Sequence, residues 1–215
     1  MGNTIKAMNQ NQTAAEDLDE KTVDRDPRKL FRRWFDEALA SGSRLPDAMT
    51  LATATKDGKP SARMVLLKQV DEQGFVFYTN YNSRKARELD ENPYASLVCY
   101  WVQLDRQVRV EGRVERVSAT ESDEYFRTRP RESQLGAIAS PQSEVIADRE
   151  FLEQQFRDLE AMYRDRSVTR PEHWGGYRLK PEMIEFWQNR EGRLHDRILY
   201  EHQADGKWTI KRLAP

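Results

Sequence analysis

The sequence predicts a mainly β protein, a small barrel or curled antiparallel sheet carrying peripheral helices in an α+β arrangement. Three observations predict it. Many short strand patterns follow one another across tight-turn signals. Most of the helical periodicity falls outside that run, at its start and in one late block. The regular strand–helix alternation of a doubly wound fold is missing.

The elements follow in order along the 215 residues. Residues 1–25 are polar, rich in Asn, Gln, Asp and Glu, and lack periodicity. They read as a flexible arm ahead of one domain spanning 26–215. Asp26-Pro27 pairs an N-cap residue with proline at the first helical position. Leu30, Phe31, Trp34, Phe35 and Ala38 then recur at helical spacing, which predicts an amphipathic helix to about Ser41. Strand patterns occupy 48–55, 63–68 and 75–79, divided by Asp57-Gly58 and by the turn Asp71 to Gly74. A short helix over 83–92 is stopped by Pro93. Strands over 94–102 and 107–115 come next. The second sets Val108, Val110, Gly112 and Val114 against charged or amide residues. Ser118-x-x-Glu121 is a capping box for a helix reaching about Arg129, before Pro130. Residues 148–164 carry Phe151, Leu152, Phe156, Leu159 and Met162 at helical spacing. β signals at 177–179, 184–188, 196–202 and 207–213 close the chain.

Composition excludes several functions. Lys+Arg is 35 against 36 Asp+Glu, so the chain lacks the basic excess of a nucleic-acid binder. The single cysteine, Cys99, permits no internal disulfide. Its neighbours Leu97, Val98 and Tyr100 make it read as a buried strand residue. No apolar run approaches membrane-span length, and no hydrophobic signal region follows Met1. A cytoplasmic protein without a membrane partner is therefore expected. Gly-x-Gly-x-x-Gly, the phosphate loop and Gly-x-Ser-x-Gly are all absent. Three histidines and no cysteine cluster argue against a dedicated metal site.

What remains is a set of cations at the edges of apolar segments. Arg63 and Lys68 bracket Met64, Val65, Leu66 and Leu67; on one extended strand their side chains leave on opposite faces. Ser83-Arg84-Lys85 adds a helix N-terminus, which favours a phosphate. Tyr125 and Arg129 lie at i, i+4 on the helix before Pro130, with Ser133 just beyond. A phenol, a guanidinium and a hydroxyl suit a phosphate monoester. If 193–197 is extended, Arg193, His195 and Arg197 share one face and Leu194 takes the other. Three such groups on one face call for an anion. On spacing alone, an ordinary solvated surface is the better reading of the first two clusters, an exposed edge strand neutralised by Glu191 and Asp196 stays open for the third, and Trp187 fits either core packing or the flank of a planar ligand.

Taken together and in order, the strings resemble the pyridoxine 5′-phosphate oxidase family. They are Arg63-Met64-Val65-Leu66-Leu67-Lys68, Phe77-Tyr78-Thr79-Asn80, Ser83-Arg84-Lys85, Arg127-x-Arg129-Pro130 with Ser133-Gln134-x-Gly136, and Trp174-Gly175-Gly176. Glu185-Phe186-Trp187-Gln188, Arg193-Leu194-His195-Asp196-Arg197 and Arg212-Leu213-Ala214-Pro215 complete the set. The resemblance covers roughly 26–215 and implies an FMN-binding split β-barrel homodimer with FMN at the subunit interface. It assigns FMN to Arg63 through Lys68, Tyr78, Thr79, Arg84, Lys85, Gln107, Gln142, Ser143, Trp187 and Arg197. It assigns substrate to Lys68, Tyr125, Arg129, Ser133, Arg193, Leu194 and His195, with Arg193 and His195 at the reacting centre.

The activity so implied is oxidation of pyridoxine and pyridoxamine 5′-phosphates to pyridoxal 5′-phosphate, the last step of vitamin B6 cofactor biosynthesis and salvage. A hydride would pass from substrate C4′ to flavin N5, and O2 would reoxidise the flavin to give H2O2. Two alternatives stand beside it. One is a related split-barrel flavin oxidase of a larger aromatic, such as a phenazine precursor. The other is a non-catalytic flavin- or haem-binding module. The chain departs from the family at Asn189, where glycine is usual; asparagine tolerates a left-handed turn better than most residues. It also lacks an Arg-x-x-Tyr element before Asp26, so no substrate contact is expected from the arm.

Overall fold

The computed structural model describes residues 18–215. Its centre is a nine-stranded antiparallel sheet. The strands are β1 (Ala48–Ala54), β2 (Pro60–Leu66), β3 (Gln69–Val70), β4 (Phe75–Asn80), β5 (Tyr94–Trp101), β6 (Arg106–Arg116), β7 (Trp174–Gln188), β8 (Asp196–His202) and β9 (Trp208–Arg212). The path runs β2-β1-β5-β6-β7-β4-β3, with β8 and β9 added beside β7. Its two ends, β2 and β3, are consecutive in the chain, and β2 touches β4. The sheet therefore curls back on itself, as the sequence led us to expect. Inside lie Met49, Leu51, Phe75, Phe77, Leu97, Cys99, Val108, Val110, Leu179, Ile184 and Phe186, all buried. Burial pushes the Cys99 thiol up to about 12, which suits packing rather than reactivity.

Helix α1 (Pro27–Ala40) closes one end of the sheet. Asp26 caps it by accepting from the Arg28 N–H, and its apolar stripe Leu30, Phe31, Trp34 and Ala38 is buried. Trp34 meets Phe186 edge-on at 5.2 Å. Helix α2 (Arg84–Glu91) sits against β1. Helices α3 (Ala119–Thr128), α4 (Arg131–Ala139) and α5 (Arg149–Met162) form the late block. They pack around a second core of Phe126, Leu135, Val168 and Trp174. Only half of the capping box forms. The Ser118 hydroxyl accepts from the Glu121 N–H, whereas the Glu121 carboxylate takes the Arg178 guanidinium.

Four expectations are corrected. The two strand patterns at 177–179 and 184–188 belong to one strand, β7, with a register shift between Glu111 and Gly112 of the facing β6. Pro181 stands opposite Gly112, where a Cβ would lie 2.0 Å from the Lys180 carbonyl oxygen. A bulge at this point accommodates the proline. The segment after Pro130 is a helix, α4, with Pro130 as its N-cap. Residues 193–195 precede β8 rather than extending it. The N-terminal arm ends sooner than expected. Leu18 and Val23 are buried, and Tyr200 Oη donates to the Asp24 carbonyl. Residues 1–17 of that arm lie outside the described residues.

The Trp174-Gly175-Gly176 string has a steric reason. A Cβ on Gly175 would lie 2.2 Å from Tyr81 Oη, and one on Gly176 would lie 2.8 Å from Tyr78 Cε1. Tyr78 cannot yield, because it is stacked on Tyr125 at 4.0 Å. Gly176→Ala is therefore expected to cost about 1–3 kcal/mol of stability, read as a lower denaturation midpoint in urea.

Candidate anion and flavin site

The sheet places two anion-ready clusters side by side. In the first, Arg63 on β2 points to the same face as Thr53, Ser61 and Leu51. Its Nη1 donates to the Leu51 carbonyl and Thr53 Oγ1, and its Nη2 to Ser61 Oγ and Glu88. Helix α2 brings Arg84 and Lys85. Lys85 is buried and donates to Thr79 Oγ1 at 3.0 Å, Ser83 Oγ at 3.1 Å and Gln142 Oε1 at 2.7 Å. All three partners are uncharged. Burial, aided by nearby Arg63, pushes the ammonium down to about 8.

The second cluster is a cavity of about 360 Å³ lined by Asn80, Arg129, Ser133, Ser140, Gln142 and Trp174, with Gly136 and Ala137 at its wall. Arg129 follows α3 in extended conformation, so the predicted helical i, i+4 pairing with Tyr125 does not form. Stacking joins them instead. Tyr125 lies parallel to Tyr78 and Trp174, and the Arg129 guanidinium sits 4.6 Å over the Trp174 ring. Burial pushes Tyr78 up to about 12, reinforced by Glu121. Arg129 Nη1 is buried with no hydrogen-bond partner among the described residues, and burial lowers its pKa. A buried guanidinium without an acceptor is costly, and a phosphate oxygen is the acceptor that it fits. Gln142 belongs to both clusters, and Ser143 beside it holds φ 74°.

The remaining predicted residues lie elsewhere. Met64 and Leu66 are exposed on the outer face of β2, while Val65 packs on the core and Leu67 is buried. Only backbone groups of the latter two can face a ligand. Lys68 lies beyond β2, so the opposite-face argument does not apply; it pairs with Asp47 at 2.8 Å. Gln107, Trp187 and Arg197 are register partners on β6, β7 and β8, and so form one row across the outer face. Arg197 is held by the buried Glu185 at 2.7 Å. The shared strand face expected for Arg193, His195 and Arg197 is not formed. Gly192 and Arg193 adopt left-handed backbone, φ 63° and 62°. Arg193 and Leu194 are exposed there. Asn189 has no positive φ, so the left-handed role considered for it falls to its neighbours. His195 packs on Trp187 at 4.7 Å and accepts the Arg190 N–H on Nδ1 at 3.2 Å. With Nδ1 accepting, Nε2 is the ring nitrogen left to face a ligand.

Trp174 begins β7 and Trp187 is near its end; at roughly 3.3 Å per residue the 15-residue strand spans about 45 Å of chain. Sequence reasoning gave no role to Asn80, Trp174 or Ser140 of the cavity, nor to Thr53, Ser61, Glu88 and Glu185, which anchor the cations. The signals were Asn80, Trp174 and Glu185 within the family-resembling strings, and Glu88 four residues after Arg84. Among the described residues there is no cluster fit for a metal ion and no helix long and apolar enough to cross a membrane.

Residues 35–163 match the family model for pyridoxamine 5′-phosphate oxidase, and 174–215 match that for the pyridoxine 5′-phosphate oxidase C-terminal dimerisation region. A pyridoxine/pyridoxamine 5′-phosphate oxidase of Trichormus variabilis is 55% identical over 215 residues, all of both chains. One of Rubrobacter xylanophilus is 58% identical over 92% of this chain and 91% of its own. The crystal structure of PhzG from Burkholderia lata, in complex with tetrahydrophenazine-1-carboxylic acid, superposes with a TM-score of 0.89 at 33% identity, covering 94% of this chain and 98% of PhzG. A pyridoxamine 5′-phosphate oxidase-related, FMN-binding protein of Nostoc punctiforme shares the fold at a TM-score of 0.70 and 18% identity, covering 86% of this chain and 97% of its own. With one family model across most of the chain and more than half of its residues identical to full-length relatives, the chain belongs to the pyridoxamine 5′-phosphate oxidase family.

Proposed function

We propose that this chain is an FMN-dependent oxidase that converts pyridoxine and pyridoxamine 5′-phosphates to pyridoxal 5′-phosphate. The observation that carries the reading is the pair of adjacent anion sites, one around Lys85 and one around Arg129, joined by Gln142. A phosphorylated flavin and a phosphorylated substrate would use one each. Names of the full-length relatives support the same pair of substrates.

In this reading Arg63, Arg84 and Lys85 hold the flavin phosphate at the start of α2. Thr79, Gln142 and Ser143, the backbone of 63–68 and the Tyr78 end of β4 border the flavin. When bound, FMN would supply the two-electron redox chemistry that links oxidation at substrate C4′ to reduction of O2 to H2O2. Arg129, Ser133, Tyr125 and Lys68 fix the substrate phosphate and so orient C4′. Arg193, Leu194 and His195 cover the substrate, with Nε2 of His195 facing it. Gln107, Trp187 and Arg197 complete the flavin site from a second copy of the chain. Two features support that homodimer. The two ends of the proposed site border opposite ends of the 15-residue strand β7. Met64, Leu66 and Tyr100 are also exposed on the outer side of the sheet, beside the Gln107 row.

A substrate panel tests the reading. The two phosphorylated vitamers should be oxidised at least roughly 100-fold more efficiently than unphosphorylated pyridoxine, since a hydrogen-bonded charge is left unpaired without the phosphate. Preference for tetrahydrophenazine-1-carboxylic acid would favour the alternative that the PhzG likeness raises. Arg193→Ala and His195→Ala should lower turnover while flavin content stays unchanged; flavin loss with normal turnover per bound flavin would contradict their placement.

Lys85 makes a pH prediction. Its pKa lies near 8 against an ordinary 10.5, and a phosphate beside it restores the proton. FMN affinity should fall as pH rises above about 8, while the FMN-free chain gains stability from this group over the same range. Fluorescence titration of FMN at several pH values checks it, and a flat profile would count against Lys85 as a phosphate ligand.

A further inference from the structure

Two cations of the first cluster, Arg63 and Arg84, share one buried carboxylate. Glu88 on α2 is 3% exposed. Its Oε2 accepts from Thr53 Oγ1, from Ser61 Oγ at 2.5 Å and from Arg63 Nη2 at 3.3 Å, and its Oε1 accepts from Arg84 Nε at 2.8 Å. Burial alone would raise its pKa, yet these hydrogen bonds and the Arg63 charge bring the carboxyl down to about 2. Glu88 is thus a fixed anion placed between two arginines that come from different elements, β2 and α2. Arg84 depends on it most, because its side chain is 59% exposed and is otherwise free to take many rotamers.

We propose that Glu88 is a positioning residue that locks Arg63 and Arg84 in phosphate-binding orientation and thereby sets the preference for FMN over unphosphorylated riboflavin. This rests on the flavin-phosphate reading of the Arg63, Arg84 and Lys85 cluster. Preorganised arginines lose less freedom when the phosphate arrives. The opposing effect is repulsion between the carboxylate and the phosphate, and the two effects predict opposite signs.

The test measures dissociation constants of FMN and riboflavin with flavin-stripped full-length protein by fluorescence quenching. Wild type, Glu88→Gln, Glu88→Asp, Arg84→Ala and the Glu88→Gln/Arg84→Ala double variant are compared. Loss of one charge-assisted contact implies a roughly tenfold fall in FMN preference for Glu88→Gln and for Arg84→Ala, with riboflavin affinity unchanged. The double variant should fall by less than the product of the two single effects, because Glu88 acts in part through Arg84. Glu88→Asp, which keeps the charge but shortens the reach, should also lose preference and guards against a Gln variant that does not fold. An unchanged or increased FMN preference in Glu88→Gln, an unchanged one in Glu88→Asp, or multiplying effects in the double variant would overturn the proposal. A wild-type chain that binds riboflavin as tightly as FMN would instead remove the phosphate reading itself, and the proposal with it.

Discussion

Arg129→Ala is expected to lower kcat/KM for pyridoxine 5′-phosphate by about 30- to 1000-fold, mostly through KM, with flavin content unchanged. The guanidinium is half-buried over Trp174 and its Nη1 has no acceptor within the described chain. A phosphate there would complete a desolvated charge pair, and removing one partner of such a pair costs about 2–4 kcal/mol. The site around Lys85 is left intact, so flavin binding should not change. Unphosphorylated pyridoxine gives the internal control, because it has no phosphate to lose. Its kcat/KM should move by less than about threefold. Equal losses for both compounds would mean that Arg129 supports the fold rather than the phosphate.

The second large effect is recovery of activity between two inactive variants. The substrate-phosphate end of the site, with Arg129, lies near the start of β7, and Arg193 and His195 lie past its end. If a functional site takes Arg129 from one chain and Arg193 from another, Arg129→Ala and Arg193→Ala damage different chains of each site. A heterodimer of the two then holds one doubly damaged site and one intact site. Random pairing of equal amounts makes about half the dimers mixed, so roughly one site in four is intact. Co-expressed variants assayed at low substrate should recover about a quarter of the wild-type rate. No recovery, from material shown to contain mixed dimers, would place both residues in a single chain's site.

How much of this was legible depended on whether the signal was local. Helix α1 was readable because its cap, its proline and its apolar stripe all lie within one continuous stretch. The alternation of β6 was equally local. Strand β7 was split in the reading because Lys180, Pro181 and Glu182 interrupt its pattern, and only the facing Gly112 shows why the chain tolerates them. Helix α4 was missed because Pro130 looked like a stop signal but serves as its N-cap. The face assigned to Arg193, His195 and Arg197 failed at a conformational detail, left-handed backbone at Gly192 and at an arginine.

The site was legible in its ligand-facing residues and not in what holds them. Arg63, Lys85 and Arg129 stand in strings that the family resemblance marks. That Gln142 joins the two anion sites depends on a loop 57 residues beyond Lys85 folding back. The buried Glu88 and Glu185 are charged residues that periodicity assigns to solvent. Only the three-dimensional arrangement shows them as counter-charges to Arg63, Arg84, Arg109 and Arg197.

The central claim is tested most directly by aerobic turnover of pyridoxine 5′-phosphate by the purified protein, with and without added FMN, following pyridoxal 5′-phosphate and peroxide together. The account predicts aldehyde formation that requires FMN, is matched mole for mole by H2O2, and is repeated with pyridoxamine 5′-phosphate. Protein that binds FMN yet forms no aldehyde from either compound would contradict it.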